Sequence, residues 1–118
     1  MLEWTYNELK ESIIEDLNDL EKDSELKYSA GQVAGRCFYE NTVVISEGYT
    51  ESIIVHTVIG KYIIEKCTDE SIKSYSNKLR VELEHYDRWK LDKSLTIEQI
   101  RELEADIEMI LERVENLS

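Results

Sequence analysis

The sequence predicts an all-α fold, a single domain of about five helices over residues 1–118. Three observations lead to this prediction. The chain contains no proline, a residue that interrupts helices. Apolar residues recur at spacings of three and four, which is the period of an amphipathic helix. Serine or threonine stands just before most of these periodic segments, where helix N-caps are found.

The first helix begins at Thr5, which forms a T-x-x-E capping box with Glu8, and the stretch "EKDSEL" ends it. Its apolar face consists of Tyr6, Leu9, Ile13, Leu17 and Leu20. At 100° per residue, the opposite face carries an acidic stripe made of Glu8, Glu11, Glu15 and Asp19. We therefore expect this helix to be buried on one side and strongly negative on the other.

The next two segments form the middle of the chain. A second helix is predicted over residues 29–46, with an S-x-x-Q cap from Ser29 to Gln32 and an end at Gly48. The segment 51–66 is rich in β-branched residues, which favour strands. It is too long for an ordinary strand, however, and Thr50 is a good N-cap. We expect a buried central helix here, with a strand as the alternative.

The last two helices complete the prediction. The fourth opens at Thr68 or Asp69 and extends toward Trp89, and the fifth opens at Thr96 with a T-x-x-Q cap to Gln99. Spacings of three and four relate the apolar residues of the fifth helix, which are Ile100, Leu103, Ile107, Ile110, Val114 and Leu117. This heptad spacing fits a helix packed on its own bundle or the seam of a homodimer.

The net charge of −12, from 26 acids and 14 bases, limits the classes of molecule that the protein is expected to bind. Residues 1–26 contain nine acids and two bases, whereas residues 27–67 are neutral. This balance disfavours nucleic acid and anionic membranes as partners, and it favours a basic protein. The alternative is that the acids only keep the chain soluble. Because no signal peptide and no apolar run of about 20 residues is present, we expect a cytoplasmic protein.

Residue patterns typical of catalysis or metal binding are nearly absent. Glu82 and His85 form one E-x-x-H, whereas a di-iron bundle needs two such motifs and two further glutamates. Cys37 and Cys67 lack the C-x-x-C spacing of metal sites, and we expect both to be free and buried. Nothing in the spacing of His56 supports a cysteine–histidine pair. The sequence therefore predicts no metal, no cofactor and no enzymatic activity.

The start of the chain resembles a known family. The opening "EWTYNELKESI" is similar to that of all-helical immunity proteins of bacterial polymorphic toxin systems, through Trp4, Thr5, Tyr6, Glu8 and Leu9. The segments "SAGQVAGRCF" and "IIVHTVIGKYII" then follow in a similar order. The resemblance implies a cytoplasmic protein that binds and neutralises a cognate toxin domain, often a nuclease, without a cofactor or catalysis.

The charge pattern and the resemblance together lead to a hypothesis about the partner-binding site. The acidic stripe would steer a basic toxin toward the protein. Trp4 and Trp89 would anchor it, since tryptophan dominates the energetics of many interfaces. One alternative is a solvated acidic face without a partner. Others are a structural or regulatory module, homodimeric through the last helix, and an acidic mimic of DNA.

Overall fold

The computed structural model describes residues 4–22 and 29–117, and within them every regular element is helical. The six α-helices are α1 (Tyr6–Glu21), α2 (Ala30–Glu40), α3 (Thr42–Glu47), α4 (Tyr49–Lys66), α5 (Asp69–Leu83) and α6 (Ile97–Asn116). A 3-10 helix, Arg88–Lys90, lies between α5 and α6. The prediction of an all-α fold is confirmed. Most of the predicted end of the first helix, "EKDSEL", lies outside the described residues.

Four of the predicted helix starts are confirmed by hydrogen bonds. The side-chain oxygens of Thr5, Ser29, Thr68 and Thr96 each accept the backbone N–H three residues later, at 3.1–3.3 Å. At α6 the box is reciprocal, because the Thr96 N–H also donates to Oε1 of Gln99 at 2.9 Å. These bonds satisfy N–H groups that have no partner within the helix.

The prediction of one continuous second helix is wrong, because the helix is interrupted at Asn41. The segment forms two helices, α2 and α3. The Asn41 amide donates from Nδ2 to the carbonyl oxygen of Cys37 at 2.8 Å. The Thr42 hydroxyl donates to the carbonyl of Phe38 at 3.0 Å. Side chains that bond nearby carbonyls in this way compete with the helical pattern of backbone bonds. This extra helix makes the total six instead of about five.

The segment 51–66 is helical, and the strand alternative is wrong. Helix α4 contacts each of the other five α-helices. Its N-cap is Gly48 and not the predicted Thr50, which lies in the first turn and accepts the N–H of Asp92 at 2.7 Å. Apolar side chains are buried around most of α4, including Ile53, Ile54, Val55, Val58, Ile59 and Ile63. The β-branched content thus reflects a central buried helix.

The predicted C-terminal end of the fourth helix is wrong. Helix α5 ends at Leu83 and does not extend toward Trp89. Trp89 instead lies in the 3-10 helix Arg88–Lys90. The backbone N–H of Asp87 donates to the Tyr49 hydroxyl at 2.6 Å, which ties this connection to the start of α4.

The heptad face of α6 packs on its own bundle, against α4 and α5. Its fully buried members are Leu103, Ile107, Ile110 and Val114. These residues are not exposed, so they do not form the seam that the homodimer alternative requires. The two helices α4 and α6 approach closely at Gly60, where an added Cβ would lie 3.0 Å from Cδ1 of Ile110.

Candidate functional site

The acidic stripe lies on the solvent-exposed face of α1. All four of its carboxylates are exposed, while the apolar face of the helix is buried against α4 and α2. A fifth acid of α1, Asp16, is half-buried beside Asn41, whose amide lies 3.4 Å from its Oδ2. Burial raises the pKa of Asp16, although the hydrogen bond from Asn41 partly offsets this effect. The four carboxylates of the stripe are therefore accessible to a partner, whereas that of Asp16 is less so.

Trp4 lies at the N-terminal end of the stripe, beside α3. Its side chain is 41% exposed, and Val43 of α3 is 73% exposed. An open depression of about 460 Å³, which we call the Trp4 depression, is lined by Trp4, Glu8, Val43, Val44 and Glu47. The fold thus joins one predicted anchor and the first acid of the stripe to residues of a second helix.

Val43 and Glu47 were missed by the sequence analysis. Their spacing of four residues places them on one helix face, which is the only signal that the sequence offers. Nothing in the sequence indicates that Val43 and Glu47 line the same depression as Trp4 and Glu8, because these residues belong to separate segments of the chain.

Trp89 lies in a different electrostatic setting from Trp4. It is 87% exposed, and the Arg88 guanidinium lies 5.7 Å from the centre of its ring. Lys90 stands at the same distance from the ring of Tyr49. Trp89 does not line the Trp4 depression. The connection that contains Trp89 is tied to the start of α4, because the Tyr49 hydroxyl accepts the N–H of Asp87.

A second acidic surface, on α6, was also missed. A groove of about 480 Å³ between α5 and α6 is lined by Leu83, Tyr86, Glu104, Ile107, Glu108, Leu111, Glu112 and Glu115. Its four glutamates form what we call the α6 row. Their spacings of four, four and three are visible in the sequence. They lie on the same helix as the apolar heptad from which the fifth helix is predicted.

The cavity between α1 and α4 has charges that are paired within the protein. It measures about 240 Å³, and Lys10 and Lys61 are among its lining residues. Lys10 forms an ion pair with Glu102, and Nζ of Lys61 lies 3.4 Å from the buried carboxylate of Asp106. Both acids belong to α6, so these pairs connect the three helices.

The cysteines and His56 have surroundings typical of structural residues. Both thiols are free and buried, and burial raises the pKa of Cys37 to about 12 and that of Cys67 to about 11. Nδ1 of His56 donates to the carbonyl oxygen of Ser52 at 2.7 Å. Among residues 4–22 and 29–117, no three His, Cys, Asp or Glu side chains are arranged to hold a metal ion. Over the same residues, none of the helices is both long and apolar enough to span a bilayer.

A family model described as immunity protein Imm3 matches residues 2–118. The chain belongs to the Imm3 immunity protein family. No curated protein and no solved structure matched it. The match includes the acidic C-terminal half, which the resemblance at the start of the chain did not cover. An Imm3 protein has a toxin as its partner, and the family is not an enzyme family.

Proposed function

We propose that this Imm3 protein neutralises a toxin with a basic surface, such as a nuclease, by binding it through the acidic stripe and Trp4. The observation that carries this proposal is that four exposed carboxylates share one face of α1, with an exposed tryptophan at one end of it. Trp89 would be a second anchor, close to the junction of α3 and α4.

Electrostatics supports the choice of a basic toxin. Proteins that act on nucleic acid carry basic clefts, and this chain has a net charge of −12. Opposite charges steer association and can raise its rate constant to about 10⁸–10⁹ M⁻¹s⁻¹ at low salt. Fast association is useful to an inhibitor that has to capture a toxin before it acts. We further propose that the protein acts in the cytoplasm, as one domain over residues 1–118, without contacting nucleic acid or a membrane.

The experiment measures binding to the toxin domain encoded by the neighbouring gene, at about 0.05 and about 0.5 M salt, between which the Debye length falls roughly threefold. The test variant is Glu11→Lys/Glu15→Lys in the stripe. The matched control is Glu108→Lys/Glu112→Lys in the α6 row, which has the same spacing, charge change and exposure. We expect the stripe variant to lower the association rate constant at least about tenfold at low salt, and the control to lower it much less.

Two results would contradict the proposal in different ways. Tight binding that neither salt nor the stripe variant weakens would keep the immunity role but remove the acidic stripe from the interface. A larger loss in the control than in the stripe variant would assign the interface to the α6 row. Circular dichroism of each variant verifies that the helices are retained.

A further inference from the structure

We propose that the cavity between α1 and α4 receives one apolar side chain of the toxin, next to the acidic stripe. The stripe attracts a basic toxin to this side of α1, and the inserted side chain slows its release. This inference rests on the proposed function, because it adds an anchoring contact to the same interface.

The cavity opens beside the stripe on the surface of α1. Its two exposed lining residues on that helix are Ile14 and Asn18. Ile14 lies three residues after Glu11, and residues at this spacing are neighbours on a helix surface. Asn18 follows Glu15 by the same spacing. A toxin that contacts these two carboxylates is therefore also placed over the cavity.

The cavity offers apolar surface to such a partner. Leu17, Val58 and Tyr62 line it and are buried. Ile14, at its edge, is 43% exposed, so a large aliphatic side chain faces solvent next to the stripe. Covering this surface with an apolar group of the partner removes it from water, which favours binding.

The charges in the cavity favour a neutral occupant. The charged lining residues are two lysines, Lys10 and Lys61, and two acids, Glu65 and Asp106. Lys10 forms an ion pair with Glu102, and Nζ of Lys61 lies 3.4 Å from Asp106. An entering carboxylate would compete with these acids for the lysines, and an entering cation would be repelled by the lysines. Burial of a charge that lacks a partner is far more costly than burial of an apolar group.

The size of the cavity fits a side chain better than a metabolite. Its volume of about 240 Å³ is below the roughly 300–1,000 Å³ of most small-molecule sites. Side chains that fill pockets of a partner supply a large part of the binding energy in many protein interfaces. Because the partner of an Imm3 protein is a toxin, the toxin is the source of such a side chain.

The first test removes the exposed apolar wall of the cavity without changing any charge. The variant is Ile14→Ala, and the matched control is Val81→Ala on α5, where a 52% exposed valine lies outside the cavity. We expect Ile14→Ala to raise the dissociation rate constant of the toxin about five- to tenfold. Its association rate constant should stay within about twofold of the wild type, since electrostatic steering is unchanged. The control should alter neither constant, and circular dichroism verifies that both variants retain their helices.

The second test identifies the group that enters the cavity. Val58 is only 8% exposed, so a toxin group comes close to its methyl groups only by entering the cavity. The immunity protein is deuterated except for its valine methyl groups and is mixed with protonated toxin. We expect nuclear Overhauser contacts between the Val58 methyl groups and methyl or aromatic protons of the toxin. The methyl groups of Val81 should show no such contacts.

The outcomes separate this inference from the proposed function. Unchanged dissociation of Ile14→Ala, with no toxin contact at Val58, would overturn the cavity site. Slower association of Glu11→Lys/Glu15→Lys would still support the proposed function in that case. If the two tests disagree, contacts at Val58 support the inference and their absence overturns it. Contacts of Val58 with lysine or arginine protons of the toxin would also overturn it, because the occupant would then be charged. Failure of the wild-type chain to bind the toxin would overturn both proposals.

Discussion

The close approach of α4 and α6 at Gly60 leads to a quantitative prediction. A Cβ added to Gly60 would lie 3.0 Å from Cδ1 of Ile110, while Cγ1 and Cγ2 of that residue would be at 3.7 Å. Carbon atoms in contact are normally about 3.5–4.0 Å apart. Gly60→Ala therefore requires one methyl group to move by roughly half an ångström or more. Ile110→Val removes that methyl and keeps the two carbons at ordinary distance.

The expected free energies of unfolding follow from these distances. Gly60→Ala gains about 1 kcal/mol of helix propensity and loses about 1–3 kcal/mol through overpacking. We expect a net destabilisation of about 1 kcal/mol. Ile110→Val alone should also cost about 1 kcal/mol. In the double variant the new methyl occupies the space that the δ-methyl leaves. The double variant should therefore lie within about 0.5 kcal/mol of the wild type, a coupling of about 1.5–2.5 kcal/mol.

Urea unfolding followed by circular dichroism gives these values by linear extrapolation. Gly35→Ala is the control, because Gly35 is exposed on α2 and an added Cβ there meets nothing within 4 Å. It should stabilise the protein by up to about 1 kcal/mol. Additive effects of Gly60→Ala and Ile110→Val on the free energy of unfolding would contradict the predicted clash between the new Cβ and Cδ1 of Ile110.

Three further predictions concern single groups. Because burial raises the pKa of Cys37 to about 12 and that of Cys67 to about 11, both thiols should resist Ellman's reagent at about pH 8. They should react once urea unfolds the chain, and rapid labelling of the native protein would contradict their burial. Thr96→Ala should cost about 1 kcal/mol by urea unfolding and Thr96→Ser much less, since serine retains the cap oxygen. The backbone N–H of Ser94 holds the pKa of Asp92 at about 2, below its usual 3.8. A lowered carboxyl pKa stabilises the folded state above the unfolded pKa, so wild type should exceed Asp92→Asn in stability above pH 3.8. The difference should vanish as the pH falls through 2, and urea unfolding of both proteins across this range measures it.

Local patterns were sufficient to predict most of the helices. The start of α1 and the orientation of its faces depend on Thr5 and on residues within a few turns of it, and the structure agrees with both. The same holds for α6, whose capping box at Thr96 and apolar face are contained in one segment. The segment 51–66 needed a further argument from length, because β-branched residues favour strands when burial is ignored.

The features that the sequence analysis missed depend on contacts between segments. At the break, the side chains of Asn41 and Thr42 bond carbonyls of the preceding turn. Serine, threonine and asparagine often occur in helices without interrupting them, so their presence in the sequence does not predict a break. The Trp4 depression combines Val43, Val44 and Glu47 of α3 with Trp4 and Glu8, which are distant from them in the sequence. In the sequence, the periodicity of the fourth predicted helix continues to Trp89, although α5 ends at Leu83. The bond between Asp87 and Tyr49 that ties its loop to α4 joins residues 38 positions apart.

The central position of α4 has a consequence for how this family can diverge. Helix α4 contacts all five of the other α-helices, yet it contributes no residue to the acidic stripe or to the Trp4 depression. Exposed residues on the outer helices can therefore be exchanged with little cost to folding. In the interface through the stripe and Trp4 proposed above, substitutions on α1 and α3 would follow a toxin that alters its surface, while α4 remains unchanged. That interface would allow recognition to evolve independently of stability.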